Sequence, residues 1–405
     1  MKTSAKIFSA AALMCICITA AAAKPAFKFK SYPHVMNVTE NSFTVLFESE
    51  ENAMCWIEVA PDDGSEWYQS ERPKYYQNVS GRHMMGKQHK ITIAGLEPGT
   101  TYRYRVMGTK MLESGQARVK WGDSFAWKPQ WGKGYHSHVK YCTVKTLDSK
   151  ASACRFSMVC DMHFNDAKYK TLISGMPEDD DFIVLCGDIV SNSNNIDTVI
   201  RHTFQPIARQ ASMYPVFYAR GNHESRGANW YKLPERFPTP SGEFYYIFRQ
   251  GPVGFIVLDA GEDKPDTDIE YSGTAAFDEY RAAELEWIKK AVEEPAFKDA
   301  PVKVCISHIP TKADKKSWYC EKWITDNFAP VLEKAGLDLM LSGHHHNYKW
   351  DAPGQAGCAY PILINSNKDR LDFVCEKDSG AWKVTLRTFG LDGTASNPEV
   401  SFTVK

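Results

Sequence analysis

The chain has 405 residues, 43% of them hydrophobic and 24% charged, with a formal net charge of −1. This length suits two domains with substantial cores better than one small module. The near-neutral charge excludes a general nucleic-acid binder, which carries a basic excess to neutralise phosphates, so no nucleic acid polymer is expected as a partner.

Residues 1–23 have the features of a signal peptide. Lys2 and Lys6 make the N-terminus positively charged, and a short apolar stretch at 7–19 and small residues at 21–23 follow. We therefore expect export to the periplasm or out of the cell, with a mature chain that starts near Lys24. A membrane anchor is the alternative, but the apolar run is too short to span a bilayer, and no stable membrane insertion is expected.

Residues 24–148 show the short, alternating strands of an all-β sandwich. Period two places Phe43, Val45 and Phe47 on one face. A Pro-Gly turn followed by an aromatic alternating strand, at 98–106, is typical of a sandwich corner. This stretch resembles a fibronectin type III-like domain.

From residue 149 to 405, short apolar strands alternate with helical patterns, which predicts an α/β arrangement of sheets covered on their faces. The helical pattern at 197–211 contains Pro206, which predicts a kink, and a second amphipathic helix is predicted at 282–292. Five apolar runs each lead into a polar cluster; they lie at 156–160, 182–186, 215–219, 302–306 and 337–341. Because functional groups collect at the carboxyl ends of strands, we expect the five clusters to converge.

The polar clusters supply carboxylate, amide and imidazole side chains. They are Asp161-Met162-His163, Gly187-Asp188, Gly221-Asn222-His223-Glu224, Ser307-His308-Ile309-Pro310 and Gly343-His344-His345-His346. Such a set without a thiolate favours Mn, Fe or Zn over a cysteine-rich zinc site. A carboxylate can bridge two cations, and Asp188 is the candidate because it stands alone on its turn. Two neighbouring metals can activate a water and stabilise both oxygens of a phosphoryl displacement.

This ordered pattern resembles the calcineurin-like metallophosphoesterases, and the sandwich before it resembles that of the purple acid phosphatases. The resemblance implies two domains, an N-terminal all-β sandwich and a four-layer α/β/β/α metallophosphoesterase domain. It also implies two divalent or mixed-valence metal ions. The residues implied around one ion are Asp161, His163, Asp188 and His346, and those around the other are Asp188, Asn222, His308 and His344. His223 is implied as the general acid that protonates the leaving alcohol, with Glu224 orienting it.

Three positions depart from the family patterns. Purple acid phosphatases have a tyrosine where this chain has Ser191, and they lack the histidine found here at His163. Both groups usually have glycine where this chain has Cys160. The departures point away from an iron–tyrosinate centre and toward the broader two-metal family.

We therefore predict an exported phosphoesterase that hydrolyses small phosphate mono- or diesters with two metal ions. A first alternative is a non-catalytic binding or adhesion protein that uses the sandwich domain. A second is another metal-assisted hydrolase on the same site, acting on a nucleotide or a lipid headgroup. Four aromatic residues cluster between predicted strands of the sandwich and form either a packed loop or a flap near the substrate: Trp121, Trp127, Trp131 and Tyr135.

Overall fold

The computed structural model describes residues 27–116, 118–132 and 140–404. The predictions for residues 1–23 and for Tyr135 concern positions outside these ranges. Strands dominate the described part: β1 (Phe29–Met36), β2 (Ser42–Pro61), β3 (Lys74–Tyr76), β4 (Asn78–Val79), β5 (Arg82–His83), β6 (Met85–Ala94), β7 (Thr101–Ser114), β8 (Val119–Ala126), β9 (Cys142–Lys145), β10 (Ala153–Val159), β11 (Phe182–Cys186), β12 (Val216–Ala219), β13 (Tyr246–Gln250), β14 (Val253–Leu258), β15 (Val302–Ser307), β16 (Leu339–Ser342), β17 (Lys349–Asp351), β18 (Ile362–Ile364), β19 (Arg370–Asp378), β20 (Ala381–Phe389) and β21 (Val400–Val404).

The described α-helices all lie after residue 149. They are α1 (Asp166–Ser174), α2 (Ile196–Phe204), α3 (Ala208–Ala211), α4 (Leu233–Arg236), α5 (Phe277–Ala291), α6 (Pro295–Lys298), α7 (Tyr319–Asn327) and α8 (Ala329–Lys334). The predicted break at Pro206 separates α2 from α3, as expected for a residue that lacks a backbone N–H and fixes φ. Helix α5 begins at Phe277, five residues before the predicted start at 282.

Two sheets face each other across one core. The larger has the strand order β21-β20-β19-β10-β11-β12-β1-β2-β7-β8, and the smaller has the order β13-β14-β15-β16-β18-β17. In β11, Phe182 and Val184 point into the core between the sheets, whereas Ile183 and Leu185 pack beneath helices on the outer face. The smaller sheet shows the same alternation against helices α5 to α8. This period of two produces helix, sheet, sheet and helix layers, as predicted.

The strands before residue 149 continue the larger sheet. Strand β1 pairs in parallel with β12 through Met36 and Val216, and it pairs on its other side with β2. The predicted inward residues Phe43, Val45 and Phe47 are buried in the same core as Phe156 and the other strands of the larger sheet. The all-β character of this stretch is confirmed, but it is not set apart as a separate sheet. A two-domain division at residue 148 and a likeness to fibronectin type III remain predictions.

Two histidines are buried where the first strands pack. The His34 ring stacks on Phe204 of α2 with centroids 3.6 Å apart, and the His89 ring stacks on Phe47 at 4.6 Å. Burial lowers the pKa of each imidazole from 6.5 to about 4. Both rings are therefore neutral in the folded protein near neutral pH.

We expect the free energy of unfolding to decrease as pH falls from 6.5 to about 4, the window set by the lowered pKa values of His34 and His89. In that window the unfolded chain binds protons that the folded chain does not, so stability is full above the window and is lost through it. Urea unfolding across this pH range measures the effect. Replacing both histidines by glutamine should flatten the pH dependence relative to wild type. His83→Gln, at an exposed histidine, is the control, and equal slopes in all three proteins would contradict the prediction.

The cysteines and two further predictions concern the described residues. All nine cysteines in the described ranges are buried with free thiols. Among the described helices, none combines the length and apolar character needed to cross a bilayer. Trp121, Trp127 and Trp131 line a cavity of about 1200 Å³ together with other residues of the sandwich strands, away from every predicted metal ligand. The packed-loop interpretation is therefore favoured over a substrate flap.

Candidate metal centre

The five predicted polar clusters lie directly after β10, β11, β12, β15 and β16. These strands run parallel within their two sheets, so their carboxyl ends meet at one edge of the core. The loops that follow them are unusually strained. Ten described non-glycine residues have positive φ, and five of them are predicted ligands: Asp161, His163, Asp188, His344 and His346. Left-handed backbone costs energy in such residues and is retained mainly at functional sites.

Side-chain donor atoms converge at this edge in three overlapping groups, and within each group they lie within 4.8 Å of one another. The groups are Asp161 with His163 and His346, His163 with Asp188 and His223, and Asp188 with His308 and His344. Asp188 Oδ2 is 3.2 Å from His308 Nε2 and 3.8 Å from His163 Nε2. Asp188 thus lies between two sets of donors, where a bridging carboxylate has to be.

Unpartnered buried atoms show that the site fits metal ions. Asp161 Oδ1, Asn222 Oδ1 and His308 Nε2 are buried and make no hydrogen bond of good geometry within the described protein, although Asp161 Oδ1 lies 3.3 Å from His346 Nε2 and His308 Nε2 lies 3.2 Å from Asp188 Oδ2. Leaving such atoms unpaired is costly, since a buried polar group normally has a partner. All three atoms are among the predicted ligand atoms, and their oxygen and nitrogen chemistry suits Mn, Fe or Zn. Either an ion or a bound water can supply the missing partner, but their convergence beside two carboxylates favours cations.

The electrostatics of the site also favour cations. Burial by itself lowers the pKa of His308, but the charges of Asp188 and Asp161 outweigh it and raise that pKa to about 10. Burial and the neighbouring His308 cation lower the pKa of His344 to about 3. In the protein without ions, His308 is therefore protonated, and its positive charge partly balances the carboxylates of Asp188 and Asp161. Bound metal ions would replace that proton as the source of positive charge.

Glycines in the strand-end loops leave room for these side chains. A Cβ atom at Gly221 would lie 2.2 Å from Asp188 Oδ1, and one at Gly343 would lie 2.7 Å from Asp161 Oδ2. At Gly187 an added Cβ would lie 2.5 Å from the His308 ring. Each of these three glycines is therefore required by the close approach of a predicted ligand.

Gly221→Ala is expected to reduce both stability and metal content, because Asp188 must move to admit the methyl group. Overpacking of this kind costs about 1–3 kcal/mol. Thermal unfolding and metal analysis of the purified variant measure the two effects. Gly86→Ala is the matched control, since its added methyl group would contact only the end of the Met84 side chain, at 3.5 Å. A Gly221→Ala protein with wild-type metal content would contradict the expectation.

His223 is held at the edge of the ligand set by neighbouring loops. Its backbone N–H donates to Asp188 Oδ1 at 2.9 Å, and its Nδ1 lies 3.0 Å from the carbonyl oxygen of Ser191. The carbonyl can only accept, so Nδ1 carries a proton, and Nε2 faces the site, 3.9 Å from Asp188 Oδ2. Ser191, the position where purple acid phosphatases have tyrosine, therefore contributes its backbone to the site.

Glu224 occupies a different place from the orienting role that the resemblance implies. Its fully buried carboxylate accepts the backbone N–H groups of Asp188, Ile189 and Gly221, at 2.9, 2.8 and 3.0 Å. These bonds join the loops after β11 and β12. Glu224 thus fixes the loop that carries Asp188, whereas Ser191 and Asp188 orient His223.

The ligand set opens into a cavity of about 710 Å³, lined by Asp188, Asn222, His223, His344 and His346 among others. Tyr348 lines it too. His345 also reaches the cavity, and its Nε2 lies 2.6 Å from the buried carboxylate of Glu321.

Sequence reasoning missed Arg226 as a cavity-lining residue beside His223. Its guanidinium lies 3.2 Å from His223 Nε2 and pairs with Glu262. Arg226 could have been predicted to lie near the site because it follows His223 by three residues. Glu262 could not, because it lies on a distant loop and no sequence pattern around it indicates the contact.

Comparison with known proteins finds a family match for the part of the chain that holds the site. A family model described as calcineurin-like phosphoesterase matches residues 155–348, which include every predicted ligand. Purple acid phosphatase 23 of Arabidopsis thaliana is 22% identical over 339 residues, covering 75% of this chain and 63% of that protein. Serine/threonine-protein phosphatase CPPED1 of Mus musculus is 23% identical over 180 residues, covering 41% and 53%. The chain thus spans less than two thirds of the length of either relative.

Two solved structures share the fold along nearly the whole chain. Purple acid phosphatase PPD1 from yellow lupin seeds has a TM-score of 0.63 at 15% identity, with 92% of this chain and 73% of that one covered. A structure of PhoD has a TM-score of 0.59 at 12% identity, with 94% and 92% covered. These likenesses extend beyond the family match to the strands before residue 149. Residues 155–348 thus match the calcineurin-like phosphoesterases, a family of phosphoric ester hydrolases, and the chain is similar in fold to a purple acid phosphatase along nearly its whole length.

Proposed function

We propose that this protein hydrolyses small phosphate mono- or diesters with a pair of metal ions. The observation that carries the proposal is the set of overlapping donor groups centred on Asp188, together with the unpartnered atoms of Asp161, Asn222 and His308. One ion would be held by Asp161, His163, Asp188 and His346. The other would be held by Asp188, Asn222, His308 and His344.

When bound, such a metal pair supplies an activated water and stabilises developing charge on the phosphoryl oxygens. The residues of this chain provide the surroundings for that chemistry. His223 faces the cavity through Nε2, which accepts an N–H of Arg226 in this structure; we propose that Nε2 takes up a proton from solvent before the reaction and gives it to the leaving alcohol. Glu224 and the glycines keep the loop of Asp188 in place, so that the donors are arranged before the substrate arrives.

The decisive experiment measures metal content and ester hydrolysis on the same purified protein. Metal should be present at about two ions per chain, and hydrolysis of p-nitrophenyl phosphate or bis(p-nitrophenyl) phosphate should depend on added Mn, Zn or Fe. A chelator should abolish the activity, and the metal should restore it. Two bound ions without activity on either ester would sink the proposal.

The competing hypothesis of a non-catalytic binding protein makes the opposite prediction. It expects the ligand set to be degenerate, whereas all seven predicted ligand positions retain donor side chains. The large cavity beside the tryptophans is the feature that favours a binding role for the sandwich strands. Ester hydrolysis that survives removal of the metal would contradict the two-metal proposal without favouring a non-catalytic protein.

We further propose that the protein is exported, with residues 1–23 removed as a signal peptide, and that a domain boundary lies near residue 148. The basic start, apolar stretch and small residues of this segment support export. Mass spectrometry of the protein recovered from outside the cytoplasm should place the mature N-terminus at Lys24. An intact N-terminus on the recovered protein would contradict the proposal.

A further inference from the structure

Arg226 is a cation held in a fixed orientation at the wall of the metal-site cavity. It follows the 3-10 turn that carries His223, and its side chain is 29% exposed. Nε and Nη2 donate to the two oxygens of Glu262, at 2.7 and 2.8 Å. A bidentate pair of this kind fixes the plane of the guanidinium as well as its position.

The anchor beneath Arg226 is itself held in place. Glu262 is only 1% exposed, and its carboxylate also accepts the Ser225 hydroxyl at 3.0 Å and the Tyr271 hydroxyl at 3.3 Å. Three donors from two loops therefore orient one buried carboxylate. An exposed ion pair contributes little to stability. The network is therefore better explained as a device that positions Arg226 than as a source of stability.

The third nitrogen of the guanidinium, Nη1, is turned toward His223 and the cavity. Nη1 lies 3.2 Å from His223 Nε2, the atom proposed to protonate the leaving group. Arg226, His223, Asp188 and Asn222 line the same cavity. Nη1 has two N–H bonds and His223 accepts one of them, which leaves the other for a phosphoryl group bound in the same cavity.

We infer that Arg226 binds an unesterified oxygen of the substrate phosphoryl group and makes the enzyme favour phosphate monoesters over diesters. A monoester dianion has one more unesterified oxygen and one more negative charge than a diester. A guanidinium recognises that oxygen through charge-assisted hydrogen bonds, whereas an ester oxygen in its place carries no charge and accepts poorly. This inference rests on the proposed function and deepens it by naming the substrate class.

The test compares p-nitrophenyl phosphate with bis(p-nitrophenyl) phosphate and adds a titration of the metal-loaded protein with inorganic phosphate. Arg226→Lys keeps a positive partner for Glu262 but loses the planar, two-pronged contact. The double variant Arg226→Gln with Glu262→Gln removes the charge without leaving a buried carboxylate unpaired. Both variants should lower kcat/KM for the monoester by about 10- to 100-fold, the effect of losing a charged hydrogen bond, and for the diester by less than about threefold.

Phosphate should bind the two variants about tenfold or more weakly, with unchanged metal content and thermal midpoint. Arg201→Gln is the matched control, because its guanidinium also lies 3.2 Å from a histidine ring, that of His202, but away from this cavity. It should behave as wild type.

Equal losses on both esters, or unchanged phosphate affinity, would assign Arg226 a structural role and overturn the inference while leaving the proposed function intact. A wild-type protein that cleaves neither ester would instead refute the proposed function. In that case phosphate binding that is insensitive to Arg226 overturns the inference as well.

Discussion

Asp188→Asn is expected to lose bound metal and to reduce hydrolysis by about 10²- to 10⁴-fold, because the amide cannot supply the charge that two cations share. Asp188 is nearly fully buried, and it belongs to two of the three donor groups. Because the substitution preserves the shape of the side chain, the measured loss reports the effect of removing the negative charge. In the protein without ions, it also removes the carboxylate that raises the pKa of His308.

Metal analysis after exhaustive dialysis, followed by activity at saturating Mn, measures both parts of this prediction. Asp166→Asn is the matched control, since Asp166 contacts His202 at 2.7 Å but does not line the metal-site cavity. The control should retain metal and activity. Full metal occupancy in Asp188→Asn would refute the bridging position.

His223→Ala is expected to lower turnover by about 10²- to 10⁴-fold, the usual contribution of general acid catalysis, while metal content stays close to wild type. The loss should be larger for an alkyl phosphate than for p-nitrophenyl phosphate, because nitrophenolate leaves without needing a proton. Steady-state kinetics on both esters test this difference. A structural defect alone would reduce both activities by the same factor.

The geometry also specifies the result that would change the assignment of His223. His223 lies in one donor group with His163 and Asp188, so it is close enough to act as a ligand. Loss of metal in His223→Ala would therefore make it a ligand and not an acid. His202→Ala is the control histidine, because His202 pairs with Asp166 outside the cavity, and it should leave kcat and metal content unchanged.

Local patterns in the sequence were sufficient to place the donors at strand ends. Five apolar runs were predicted to lead into ligands, and β10, β11, β12, β15 and β16 end within three residues of the first polar residue of each cluster. The break at Pro206 was predictable for the same reason, since it depends on the covalent structure of one residue. The pairing of strands was harder to predict from the sequence. The contact between β1 and β12 joins residues 180 positions apart, Met36 and Val216, and it left the predicted sandwich continuous with the larger sheet.

The resemblance supplied the identities of the ligands, but the tertiary structure decided how their neighbours support them. Glu224 was expected to orient His223, yet its carboxylate bonds to the loop backbone at Asp188 and Ile189. The orienting atom is the Ser191 carbonyl oxygen, and backbone carbonyls have no signature in a sequence because every residue has one.

The sequence by itself therefore determined the ligand types, their order and their places at strand ends, because periodicity and turn chemistry act over a few residues. Only the tertiary structure brought Glu262 beneath Arg226 and turned that guanidinium toward His223. Those contacts depend on loops 36 residues apart in the chain, whose approach is set by the packing of two sheets and not by any local pattern.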